Sequence, residues 1–153
     1  MGGLASRRAF LFLARMDLSA ARTHITAALA RMNVAYGQPV FDEWAVLGLG
    51  GNRGVLAYVG PRPDTFRRSL PDDAAPLRAE AAGQPNSVGD LVFAIETGGT
   101  RYDVFLRLGD SSYLVCNHTT KSMADIRVNP GWLKVQPVLF ELGEKFRADP
   151  LVE

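Results

Sequence analysis

From Asp17 onward, Leu18, Ala21, Ile25, Ala28, Leu29 and Met32 recur at spacings of three and four, with Arg22, Thr23, Thr26 and Arg31 on the other faces. That spacing predicts an amphipathic helix. Asp17 fits its N-cap, and Asn33 to Gly37 supplies the stop. Glu43 to Leu49 and Val55 to Val59 then read as two strands joined by the turn-forming Gly50-Gly51-Asn52-Arg53-Gly54. Residues 61–87 carry Pro61, Pro63, Pro71, Pro76 and Pro85. A proline inside a helix costs about 3 kcal/mol, so only short helical pieces are expected there, over 65–70 and 76–82.

Three more strands follow, over 91–97, 101–108 and 112–117, with turns at Gly98-Gly99 and Gly109-Asp110. In the middle one, Tyr102, Val104, Leu106 and Leu108 share a face, and Arg101, Asp103, Phe105 and Arg107 share the other. This alternation is that of an antiparallel sheet with one face in the core. Phe105 stands on the otherwise polar face, so it is expected to be covered. Leu91 to Ile95 is apolar on both faces, as in a strand inside a continuous sheet.

The C-terminal part is helical. Lys121 to Val128 forms a first piece, and Asn129-Pro130 fits an N-cap followed by a proline in the first turn. Trp132, Val135, Leu139, Leu142 and Phe146 continue at helical spacing, with Glu141 and Lys145 as an exposed i,i+4 pair. Pro137 should kink or restart this helix. The expectation is an α+β domain of order α-β-β-α-β-β-β-α. It has a single, mostly antiparallel five-stranded sheet with helices on both faces.

Composition narrows the function. The 153 residues fit one domain, 47% are hydrophobic and 22% charged, and the formal net charge of +1 offers no long-range attraction to nucleic acid. No stretch approaches the ~20 apolar residues of a membrane span. The single cysteine, Cys116, cannot form an internal disulfide and suits a reducing compartment, so a cytoplasmic location is expected. Ser6 to Leu11 resembles a twin-arginine export signal, but Arg15 and Asp17 interrupt the apolar run that must follow. Gly2 with Ser6 fits a myristoylation pattern without a polybasic companion.

Little of the chain points to chemistry. Gly50 to Gly54 lacks the lysine of a phosphate loop and joins two strands. Cys116 and His118 lie two apart on a strand and could form a nucleophile pair, but read better as a buried cysteine and a strand-end histidine. His24 reads as exposed or locally hydrogen-bonded, and Trp44 and Trp132 as core. Two histidines and one cysteine make a poor metal set. No catalytic residue, metal or cofactor is expected.

The order of elements resembles the Roadblock/dynein light chain family, in particular its stand-alone bacterial members. Three stretches carry the likeness: Glu43 to Gly60, Ile95-Glu96-Thr97-Gly98-Gly99, and Thr119 to Arg127. Residues 17–147 then form the Roadblock-like domain of profilin-like layering, between an N-terminal segment (1–16) and a tail (148–153). Pro71 and Pro76 interrupt the middle helix that the family keeps long and apolar.

The resemblance implies a homodimer joined through the middle strands and middle helices, which binds a small Ras-like GTPase as regulator or scaffold without a catalytic centre of its own. It implies a dimer interface at Leu91, Phe93, Ile95, Phe66, Leu70 and Leu77, and a partner surface at Phe105, Arg67 and Arg68. Two other readings stand beside it. One is a GAF- or profilin-like sensor holding a small molecule near Tyr58, Tyr102 or Tyr113. The other is a small hydrolase using Cys116.

Overall fold

The computed structural model describes residues 16–48, 54–64, 87–97 and 100–152, with the side chains of 92–97 and 100–103 outside that description. Helix α1 (Leu18–Tyr36) starts where the sequence predicts: the Asp17 carboxylate accepts from the Ala20 N–H at 2.7 Å. It stops at Gly37, whose φ of +90° is left-handed and whose N–H bonds back to Asn33 O.

Five strands follow: β1 (Glu43–Gly48), β2 (Gly54–Val59), β3 (Leu91–Thr97), β4 (Thr100–Arg107) and β5 (Ser112–Asn117). They form one sheet of order β2-β1-β5-β4-β3, and every pairing is antiparallel. β1 lies between β2 and β5, so β2 and β3 are the two edges among the described strands. Two helices end the chain, α2 (Met123–Arg127) and α3 (Trp132–Ala148). The class is α+β with an antiparallel sheet.

On one face of the sheet, Trp44, Val46, Val104, Leu106, Leu114 and Cys116 share a core with Ile25, Leu29 and Met32 of α1 and Val135, Leu139 and Phe146 of α3. Trp44 and Trp132 both belong to that core, as expected. The alternate residues Ala45, Leu47, Phe105, Tyr113 and Val115 are also buried, so β1, β5 and the described side chains of β4 are covered on both faces. α1 and α3 lie side by side on the first face. The helical pieces expected over 65–70 and 76–82 fall outside the described residues.

The C-terminal helices differ in detail from the sequence reading. Ser122 and Asp125 form a reciprocal capping box that starts α2 at Met123 rather than at Lys121. The N-cap of α3 is Gly131, not Asn129; the Asn129 side chain, two residues earlier, instead accepts from the Gly131 N–H at 2.8 Å. α3 then runs through Pro137 as a single helix. The expected Glu141–Lys145 pair is replaced by contacts to α1: Arg31 Nη2 meets Glu141 Oε2 at 2.8 Å, and Lys145 Nζ lies 3.2 Å from His24 Nδ1.

Past α3 the chain returns to the sheet. Leu151 N–H bonds Leu108 O at 2.9 Å, and Met16 and Leu151 form a parallel bridge. Among the described residues, no helix is long and apolar enough to cross a membrane.

Candidate functional site

An exposed sheet edge offers unpaired backbone donors and acceptors to any incoming strand, and stable proteins blunt such edges with bulges, prolines or lysines. The two edges here differ. Opposite Val46 and Leu47 of β1, β2 presents Ala57 and then Val55, so Leu56 is an extra residue in a bulge. Gly60, Pro61 and Pro63 follow β2 directly. β3 has none of these devices. It pairs with β4 from Leu91↔Leu106 to Thr97↔Thr100 without a register shift, contains no proline or lysine, and has no partner on its outer side among the described strands.

The turn ahead of β3 is fastened on two sides. Gly89 has a φ of +94°, which only glycine adopts at little cost. Its N–H bonds Arg107 O at 2.8 Å, and the Arg107 N–H bonds Asp90 O at 3.2 Å. From the other side, α3 brings Gly143 so close that a Cβ on it would lie 2.5 Å from Gly89 O. Arg147, one turn on, donates from Nη2 to Asp90 Oδ1 at 2.9 Å and from Nε to Val88 O at 3.2 Å, and also pairs with Glu144.

A second polar cluster lies at the end of the β2-β1-β5 half of the sheet. Glu43 opens β1 with a side chain that is 0% exposed. Its Oε2 accepts from Tyr58 Oη at 2.6 Å and from Arg62 Nε at 3.4 Å, and its Oε1 accepts from Asn117 Nδ2 at 3.2 Å and from Arg62 Nη2. The Arg62 backbone N–H donates to the Tyr58 hydroxyl at 2.9 Å. Burial, with the neighbouring Glu43, pushes the Tyr58 hydroxyl up to about 12, and the hydrogen bond to Glu43 raises Arg62 above its ordinary value.

The buried charge is thus fully paired, which is what makes burying it tolerable. A carboxylate held by donors on both oxygens is poorly placed to take a proton from a substrate. The cluster works as a joint that pins the chain where it leaves β2.

Of the residues expected at a dimer interface, Leu91 is half-buried and packs against the core. Phe93 and Ile95 sit in register opposite Val104 and Tyr102. Phe66, Leu70 and Leu77, with the partner-surface Arg67 and Arg68, lie outside the described residues. Phe105 is corrected: it is 1% exposed and stacks on Tyr113, with ring centroids 4.5 Å apart, so it is core rather than partner surface. Its neighbours on β1 and β5 are apolar and buried, so the cover expected over Phe105 is supplied within the chain rather than by a partner.

Tyr113 is buried with Phe105, and the Tyr58 hydroxyl is taken up by Glu43 and Arg62. Cys116 is buried in the core, and His118 turns Nδ1 toward the Thr120 and Lys121 N–H groups, 3.2 and 3.0 Å away. Glu43, Arg62, Asn117, Gly143 and Arg147 were not foreseen. A glycine in the middle of an otherwise regular helical stripe was the one available signal, at Gly143. Elsewhere, α1 and α3 leave an apolar groove lined by Ala30, Arg31, Val34, Ala35 and Val138, with Val34 84% exposed.

Comparison of the chain with protein-family models, with curated proteins and with solved structures found no match in any of the three.

Proposed function

We propose that the protein is a homodimeric binding module that pairs β3 with β3 of a second copy and offers the composite surface to a small Ras-like GTPase, as regulator or scaffold. The observation that carries this reading is the difference between the two edges. β2 is bulged and followed by prolines, whereas β3 is regular, mostly apolar and, among the described strands, unpaired on its outer side. A symmetric dimer is the commonest way for such an edge to be satisfied. The GTPase itself rests on the resemblance in residues 43–60, 95–99 and 119–127. On the same reading the layering is profilin-like and the module works in the cytoplasm.

The test is amide exchange across a dilution series, run beside sedimentation equilibrium. The expected result is a dimer whose amides at 91–97 exchange faster on dilution while those of β1 and β5 do not change. A monomer at all concentrations, or exchange at 91–97 that ignores concentration, would refute the dimer. Retention of a Ras-like GTPase in one nucleotide state by the immobilised dimer tests the partner, and binding in neither state removes it.

A further inference from the structure

We infer that Arg147 and the Gly143–Gly89 contact are positioning elements for the pairing edge: the end of α3 sets where β3 lies and thereby controls self-pairing. This rests on the proposed β3–β3 association.

β4 holds one side of β3, and no described strand pairs with the other. A strand held on one side only must lose backbone freedom when a second strand docks, and that loss opposes association unless the strand is ordered beforehand. The turn at 87–90 is where such ordering can be imposed, and five hydrogen bonds meet there. Arg147 bonds Asp90 Oδ1 at 2.9 Å and Val88 O at 3.2 Å. Asp90 Oδ2 accepts from the Ser87 N–H at 2.8 Å, and the two backbone bonds to Arg107 carry the constraint into β4.

The Gly143–Gly89 approach adds a hard stop. A Cβ on either residue would fall 2.5 Å from the other's carbonyl oxygen, so the helix can lie this close only with glycine on both sides. Glycine is a poor helix former, and its place inside α3 answers to this contact rather than to the helix. The ion pair itself is roughly half exposed, 44% and 42% for Arg147 and Asp90, so its charge alone stabilises little. Its directional bonds to two parts of one turn are what position β3.

The experiment compares wild type, Arg147→Ala, Arg147→Lys and Gly143→Ala in the full chain by sedimentation equilibrium, amide exchange and thermal midpoint. Arg31→Ala, which breaks another exposed pair, is the control. Arg147→Ala and Gly143→Ala are expected to raise the dimer dissociation constant about tenfold or more and to speed exchange selectively at 91–97. Arg147→Lys should behave like the alanine variant, because an ammonium lacks the planar fork that reaches Asp90 and Val88 O together. Arg31→Ala should leave both readings unchanged.

Wild-type values for both measurements in Arg147→Ala overturn the inference, even if Gly143→Ala fails to fold. A wild-type protein that never dimerises refutes the self-pairing reading and the control of it. Exchange at 91–97 in Arg147→Ala then decides separately whether α3 orders β3.

Discussion

The Tyr58 hydroxyl and the Glu43 carboxylate, diagonal neighbours on β2 and β1, share a hydrogen bond of 2.6 Å that holds the tyrosine proton in place. Gly60, directly beside them, leaves the room: a Cβ there would lie 2.5 Å from Glu43 Cβ and 2.7 Å from Tyr58 Oη. The Tyr58 hydroxyl is raised from the ordinary 10.0 to about 12, so the folded state binds this proton more tightly than the unfolded state. The stability it contributes is complete below the unfolded value and is lost as pH rises through the folded one. Wild type should therefore lose stability between pH 10 and 12 in a way that Tyr58→Phe does not. An ultraviolet titration of tyrosinate should lose its step near pH 12 in the same variant.

Glu43→Gln keeps the shape of the side chain and removes its charge. Arg62 would remain beside a neutral amide, and the amide NH₂ would face donors. Because the Arg62 side chain is 43% exposed, water can solvate the freed guanidinium. We expect a loss of about 2 kcal/mol, below the ~3–5 kcal/mol of a wholly buried pair, measured by urea unfolding.

Gly89→Ala and Gly54→Ala separate steric from conformational cost. Both glycines have positive φ, +94° and +120°, but a Cβ at Gly54 meets nothing within 4 Å, whereas at Gly89 it meets Gly143 O at 2.5 Å. Gly54→Ala should cost about 1 kcal/mol and Gly89→Ala at least twice that in the same unfolding assay.

Pro137 lies within α3 and cannot donate to Leu133 O, the acceptor four residues earlier. Pro137→Ala should stabilise the protein by about 1–3 kcal/mol, seen as a higher thermal midpoint. The faces of α3 can be checked alongside. Leu139→Ala removes a fully buried side chain and should cost about 2–5 kcal/mol, while Phe140→Ser, at a site 57% exposed, should change stability by under ~0.5 kcal/mol.

Local pattern carried most of the fold. Asp17 and Gly37 mark the ends of α1 through chemistry confined to one turn, and Tyr102, Val104, Leu106 and Leu108 mark β4 by simple alternation. The reading failed where the answer depends on distant residues. Asn117 reaches Glu43 across 74 positions, and no spacing in the sequence announces it. The alternation in β4 asks for a cover over Phe105 but cannot show that the chain itself supplies it, which is why Phe105 does not belong to a partner surface. Gly143 was legible in principle, since a glycine inside a helix asks for a reason, but its counterpart Gly89 lies in a turn over fifty residues earlier.

The bulge in β2 has a consequence for how far assembly can go. If both edges were regular, each added copy would present a fresh edge, and strand pairing could propagate into a fibre. With Leu56 displaced from the ladder and Pro61 and Pro63 following it, β3 is the one regular edge among the described strands. In the proposed dimer, association through one such edge, related to itself by a two-fold axis, would terminate at two chains. On that proposal, the irregularity in β2 would cap the size of the complex from the far side of the sheet.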